Sequence, residues 1–296
     1  MRSVERRRRL SLKSASALAL LPTAGIVTFC LYVFIAWTAV ISLTGSQLLP
    51  VYKFTGLDQY RHLFASTRWW TDIKNLALFT GLLIFGCLLL GYFLALLIDR
   101  GTRWRGFYRT VFLLPLSVSF VVTGLIWQWL LNPGLGIQHA VRALGWTSFS
   151  FNWIVRSDRS LYTLVIAGIW QQAGMCMALF LADLSRIDPN VWRIARVDGI
   201  PGWRTYYHII TPLLWPSFFS ATILLFVSAV KAFDLVVTLT GGSPGFSSDL
   251  PARYVVDLIN RHQFGMGAAG SCVLLGAVAA IVGPYIYCQL RKRDER

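Results

Sequence analysis

Acidic residues are scarce in this chain. Only 13 of its 296 residues are Asp or Glu, and the two glutamates, Glu5 and Glu295, stand at the extreme ends. Paired carboxylates for acid/base catalysis would therefore have to be aspartates, and Asp183, Asp188 and Asp198 all belong to one short loop and its rim. No Gly-x-x-x-x-Gly-Lys-Ser/Thr string occurs, so the chain has no P-loop to cradle nucleotide phosphates. Cys30, Cys87, Cys176, Cys272 and Cys288 form no CxxC pair and have no histidine at ligand spacing, which excludes a sequence-encoded zinc site and leaves them as small packing residues. His62, His139, His208 and His262 are scattered over four loops. Gly241-Gly242-Ser243-Pro244-Gly245 fits the Gly-x-Ser-x-Gly pattern of a nucleophile elbow. The residue after the serine is Pro244, however, which has no N–H to donate to an oxyanion, and the string reads as a Gly/Pro turn. Charge of either sign is also low, at 14% of residues, against about a quarter in soluble domains.

What the chain has instead is apolar length, with 55% hydrophobic residues. Runs of roughly 20 apolar residues are long enough to cross a bilayer as helices, and six are found, at 15–41, 75–98, 110–131, 160–182, 213–240 and 264–290. Only the fifth carries charges well inside it, Lys231 and Asp234. The first run follows a basic segment, as in a signal peptide, but it is nearly twice the length of such an apolar region and reads as a retained first helix. The net charge of +15 would suggest nucleic acid on a soluble fold; beside apolar runs it is topology information. Eighteen Lys and Arg residues fall in the N-terminal segment, the second and fourth loops and the tail; nine fall in the alternate loops, and Lys231 is left within a span. The positive-inside rule then places both termini in the cytoplasm and removes nucleic acid as a partner.

The fourth loop is more patterned than a tether requires. Asp188 can cap a helix, Pro189 suits its first turn and Gly199 can close it in a left-handed conformation. Val191, Ile194 and Ala195 are expected on one apolar face, with Arg193 and Arg196 elsewhere. A second short helix is expected between Pro201 and Pro212. Such a capped helix suits docking in a soluble partner's groove.

The string Ile194-Ala195-Arg196-Val197-Asp198-Gly199, followed by Trp203 and by Ile210-Thr211-Pro212-Leu213-Leu214-Trp215-Pro216, resembles the EAA loop of permease subunits in bacterial ABC importers. The resemblance extends over nearly the whole chain. It takes in Gly56-Leu57-Asp58-Gln59-Tyr60, Leu113-Leu114-Pro115, Trp127-Gln128-Trp129, Asn132-Pro133-Gly134-Leu135-Gly136, Phe233-Asp234-Leu235, Leu239 to Gly245 and Ser247-Ser248-Asp249-Leu250-Pro251. The last three are similar to stretches that mark carbohydrate-type permeases, and among these the chain looks most like the first permease of glucose/mannose importers. Where that family has Glu-Ala-Ala, this chain has Arg193-Ile194-Ala195, so a base replaces an acid.

The resemblance implies an all-α integral membrane protein of six transmembrane helices in a type I ABC importer permease architecture, multi-pass in the inner membrane of a bacterial cell. It divides into residues 1–74 (basic segment, first helix and periplasmic loop), 75–290 (a five-helix core with its coupling loop at 183–212) and a basic tail at 291–296. The implied partners are a homologous second permease, two ATPase subunits that bind ATP and magnesium, and a periplasmic sugar-binding protein; this chain holds no cofactor and does no covalent chemistry. Val191, Arg193, Ile194, Ala195, Asp198 and Gly199 would couple to the ATPase. A hexose pathway wants aromatic faces and hydrogen-bonding groups, for which Trp170, Gln171, Gln172, Lys231 and Asp234 are the candidates, and Lys231 and Asp234 are expected on one side of a helix, able to pair. An ion-coupled secondary carrier, and an ABC permease for a disaccharide or glycerol phosphate, are the alternatives.

Overall fold

In the computed structural model, α7 (Ser160–Leu184) is the axis of the larger part of the molecule. It is apolar all round and buried along most of its length, as a helix enclosed by others must be. The structure describes residues 2–47, 53–99 and 104–294, without the side chains of 2–20, Arg196, 288–290 and 292–294. Of the charges counted above, Arg100 and Arg103 of the second loop and Glu295 and Arg296 of the tail lie outside the described residues.

The helices in chain order are α1 (Arg2–Ser42), α2 (Asp58–Ala65), α3 (Thr67–Asp99), α4 (Arg105–Ser117), α5 (Phe120–Leu130), α6 (Ile137–Ala143), α7, α8 (Pro189–Val197), α9 (Gly202–Arg204), α10 (Thr211–Leu213), α11 (Trp215–Val230), α12 (Phe233–Leu239), α13 (Pro251–Asn260) and α14 (Phe264–Asp294). A π-helical turn, Thr205–Ile210, joins α9 to α10. Among the described residues, four helical stretches are long and apolar enough to cross a membrane: Leu21–Ser42, Thr67–Asp99, Ser160–Leu184 and Phe264–Tyr287. Two bent pairs meet the same test together, α4 with α5 at 99° and Gly202–Leu213 with α11 at 64°. The chain is thus an all-α membrane protein with, among the described residues, four helices of spanning length, or six if each bent pair makes one span.

Two units divide the chain, 1–63 with 258–273 and 64–257 with 274–296. In the first, an isolated bridge pairs Thr44 with Phe54. Gly265 N–H donates to the Ser46 carbonyl at 3.0 Å, and the Tyr60 hydroxyl lies 2.9 Å from Ser42 Oγ. Burial pushes the Tyr60 phenol above its ordinary pKa, although the bond to Ser42 opposes this.

The hydrophobic core belongs to the second unit and centres on α3 and α7, with Phe79, Leu83, Cys87, Leu164, Met177 and Phe180 all buried. Small residues let the helices approach, since membrane helices gain most from close van der Waals packing. A side chain at Gly91 would stand 2.5 Å from Cys176 Cβ and 2.9 Å from the Met177 nitrogen.

Two spans expected to be continuous are broken. At 118–119 the helix restarts with Ser119 as N-cap, its Oγ accepting from Val122 N–H at 3.3 Å. Within a membrane such a break persists only where other groups satisfy the freed backbone. Here the buried Gln171 donates its amide to the Val118 carbonyl at 2.7 Å. The fifth run breaks at Lys231 and Ala232, between α11 and α12.

Candidate functional site

α8 is capped as its sequence predicts. The Asp188 carboxylate accepts from Asn190 N–H at 2.8 Å and the Asp188 carbonyl from Val191 N–H at 3.0 Å. At the other end Gly199 has φ +67°, a conformation that favours glycine. Ile200 N–H closes the turn on the Ala195 carbonyl at 2.9 Å.

The face expected of α8 is corrected. Val191 and Trp192 are half-buried against the core, Ala195 is 3% exposed, and the Trp192 ring sits 5.1 Å from the Tyr206 ring. Ile194 is 60% exposed and Val197 87%, and Arg193, also exposed, donates to Asn190 Oδ1 at 3.2 Å. At about 100° per residue Val191 and Ala195 lie roughly 40° apart, while Ile194 lies about 100° from Ala195. The helix therefore has two apolar stripes, one facing its own protein and one facing out. Asp198 is exposed, as are Trp203 and Tyr207 in the segment that follows.

Behind α8, the end of α7 is tied to α11 by a short hydrogen bond from Ser217 Oγ to the Asp183 carboxylate. Asp183 also pairs with Arg186 at 3.2 Å.

The residues singled out for a pathway are not gathered in one cavity. Gln171 props the α4–α5 break, and Gln172 donates to Ser228 Oγ of α11 at 2.6 Å. Trp170 is 37% exposed, with its ring centroid 6.1 Å from that of Trp127 in an edge-to-face contact. Lys231 and Asp234 do not share a helix. Lys231 follows the last residue of α11 and Asp234 sits in the first turn of α12, where a carboxylate complements the helix dipole. Both are exposed, and no ion pair joins them among the described residues. The expected pair is lost because the backbone breaks between them.

A crevice of about 570 Å³ lies elsewhere, between the end of α5, the 3-10 turn Trp153–Val155 and the residues after α12. Trp129, 75% exposed, lines it with Gln128, Asn132, Thr240 and Ser243. This set of an aromatic face beside amides and hydroxyls was quoted in the sequence only as part of a resemblance. Nothing in its spacing brings residues 128–132 to 240–243.

A second cluster was missed outright. Arg68, at the start of α3, donates to Asp249 Oδ2 through Nε at 3.2 Å and Nη2 at 2.7 Å, and to Asp257 Oδ2 through Nη1 at 2.6 Å. Arg253 reaches the same Asp249 oxygen at 3.0 Å. The Arg68 guanidinium also lies over Phe246 and Tyr254, at 4.1 and 4.6 Å from their ring centroids. The spacing of Asp249 and Arg253 (i, i+4) was a legible signal; the arrival of Arg68 from the far side of the chain was not.

Among the described residues no group of three or more His, Cys, Asp or Glu could hold a metal. Apolar helices of spanning length, with two bent pairs that meet the same test, define a multi-pass membrane protein, and a capped helix, α8, presents apolar side chains outward. Residues 87–287 match the family described as binding-protein-dependent transport system inner membrane component, and the chain belongs to it. It is 34% identical over 282 residues to a probable ABC transporter permease protein of Pyrococcus horikoshii, covering 94% of this chain and 96% of that one. To the xylose/arabinose import permease protein XacH of Haloferax volcanii it is 36% identical, over 82% of this chain and 77% of the other. To the glucose import system permease protein GlcT of Saccharolobus solfataricus it is 27% identical, over 95% and 98%. A crystal structure of a bacterial ABC transporter that imports the acidic polysaccharide alginate contains a chain of the same fold, with TM-score 0.79, 20% identity and coverage of 98% and 99%.

Proposed function

We propose that this chain forms half of the translocation pathway of an ATP-driven carbohydrate importer and takes its drive from an ATPase through α8. The observation that carries the reading is the capped α8, with Ile194 and Val197 facing out, inside the segment that matches the transport family. Reorientation of membrane helices by a soluble motor needs a stiff element between them. A helix fixed at both ends and seated on Val191, Trp192 and Ala195 has that stiffness. Asp198 and Gly199 serve as its terminus, and Arg193 offers a cation where the resembled family offers an acid, so an acidic residue in the ATPase groove is the matching chemistry.

By the distribution of Lys and Arg, both termini and α8 face the cytoplasm. The relatives above are archaeal, so the cytoplasmic membrane, common to archaea and bacteria, is the location we infer. The partners are a second permease of the same family, two ATPase subunits and an extracytoplasmic sugar-binding protein. Sugar would enter over Trp129, whose indole face and the neighbouring amides suit a pyranose, and pass the broken helices near Trp170, Gln171, Gln172, Lys231 and Asp234. Glucose or mannose is the cargo that the sequence resemblance favours, and the name of GlcT agrees with it. The name of XacH, at higher identity, favours a pentose as the second reading.

Proteoliposomes holding the chain with its co-expressed partners test this. Uptake of labelled glucose should require ATP, the ATPase and the binding protein. Gradient-driven uptake by the chain alone would overturn the reading in favour of a secondary carrier, and ATP-dependent uptake of xylose but not glucose would favour the pentose.

A further inference from the structure

α4 and α7 touch at Gly174, where any side chain would collide with the Phe112 carbonyl. Toward the α8 end of α7 they leave a crevice of about 420 Å³ between them. Its α7 wall is mostly apolar, formed by Ala178, Leu181 and Ala182 with Ser185 at its end. Its lip carries two cations one turn apart, Arg105 and Arg109. Arg105 is half-exposed and stands 3.5 Å from Asp99; Arg109 is exposed and has no ion-pair partner among the described residues. Trp104, Phe107 and Tyr108 are exposed beside them, in edge-to-face ring contacts at 6.4 and 5.8 Å. Exposed aromatics next to basic residues at the end of a spanning helix mark the level of the lipid headgroups.

A neutral sugar gives two guanidiniums nothing to neutralise. A soluble anion gives the Ala178–Leu181–Ala182 wall nothing to bury. An anionic phospholipid satisfies both, because guanidinium matches phosphate in bidentate geometry and an acyl chain fills a slot lined by alanine. Arg105 and Gly106, the first residues of α4, line the same crevice, and the helix start has no side-chain cap, which adds favourable potential for an anion. We propose that this crevice binds one anionic phospholipid, its phosphate held by Arg105 and Arg109 and one acyl chain lying along Ala178, Leu181 and Ala182. The bound lipid would brace α4 against the last turns of α7, directly ahead of α8.

Native mass spectrometry of the chain, co-purified with its partner subunits from membranes and titrated with phosphatidylglycerol or phosphatidylcholine, tests the site. The native protein should retain one phosphatidylglycerol in preference to phosphatidylcholine. Each basic residue near a membrane surface favours anionic lipid enough that Arg105→Gln with Arg109→Gln should weaken retention about 30-fold, and Arg109→Lys should keep part of it. Ala182→Leu, which fills the slot and keeps both charges, should also abolish the preference. Arg186→Gln, a nearby exposed cation outside the crevice, should not. Arg109→Gln alone removes no side-chain hydrogen bond or ion pair among the described residues, so it reports on binding even if the double variant misfolds. Unchanged phosphatidylglycerol retention in the arginine variants would overturn the proposal. So would displacement of the lipid by millimolar inorganic phosphate with Ala182→Leu silent, which would make the site one for a free anion.

Discussion

Asp249 is wholly buried and accepts from two arginines, Arg68 and Arg253. Asp72, one turn along α3 from Arg68, is equally buried, yet neither of its carboxyl oxygens has a hydrogen-bond partner. The two aspartates should respond oppositely to the same change. Asp249→Asn leaves the half-buried Arg253 without its counter-charge and Arg68 with Asp257 alone, and is expected to destabilise by about 3 kcal/mol. Asp72→Asn removes no hydrogen bond and should stay within about 1 kcal/mol of the native protein or stabilise it. Thermal unfolding followed by tryptophan fluorescence in detergent separates them, and equal losses would mean that Asp72 is held by bonds the structure does not show. At this scale the sequence was legible only in part. It flagged Lys231 and Asp234, the charges inside an apolar run, but Asp72 and Arg68 lie just outside the charge-free window and read as loop charges. Gln171 was singled out for a sugar and is found supporting the Val118 carbonyl, since a glutamine in an apolar run looks the same whether its amide meets a ligand or a broken backbone.

At the scale of elements, caps were the most legible signals, because they act within four residues of each other. Asp188, Pro189 and Gly199 bound α8 as expected. Which stripe of α8 faces out was not legible, since the partner that buries Val191 and Ala195 is the rest of the chain. The caps should matter for coupling. Asp188→Ala is expected to weaken α8 by about 1 kcal/mol. Gly199→Ala should do so by roughly 1–2 kcal/mol, because the residue must take a left-handed conformation, even though the space around it is open. In reconstituted complexes both should lower sugar-stimulated ATP hydrolysis while leaving assembly intact; unaltered stimulation would show that α8 need not be stiff. The break at 118–119 escaped the sequence because its stretch has the composition of an unbroken span; at 231–232 the charges Lys231 and Asp234 marked the place, but they read as a pair on one helix rather than as a break. Since Lys231 and Asp234 are exposed and do not share a helix, Lys231→Met and Asp234→Asn are expected to leave assembly unchanged and alter uptake. Loss of assembly with normal uptake in what remains would assign them to packing against a partner.

For the whole molecule, the low charge content and the apolar runs were enough to place the chain in a membrane, because lipid imposes length and composition directly on sequence. The match over residues 87–287 then places it among the inner-membrane components of binding-protein-dependent transport. The crevice at Trp129 and the Arg68 cluster needed the fold, as each joins segments more than 100 residues apart. The surplus of arginine acquires two meanings at this scale. By the positive-inside rule most of it is orientation signal, and in the proposals above Arg105 and Arg109 serve a phosphate and Arg193 an acidic partner. The central claim is that α8 docks in the ATPase by its outward stripe. A cysteine cross-linking scan of positions 190–200 against the ATPase in the assembled complex tests it most directly. The account predicts capture at Ile194 and Val197 and none at Val191 or Ala195; capture at no position in the scan would contradict it.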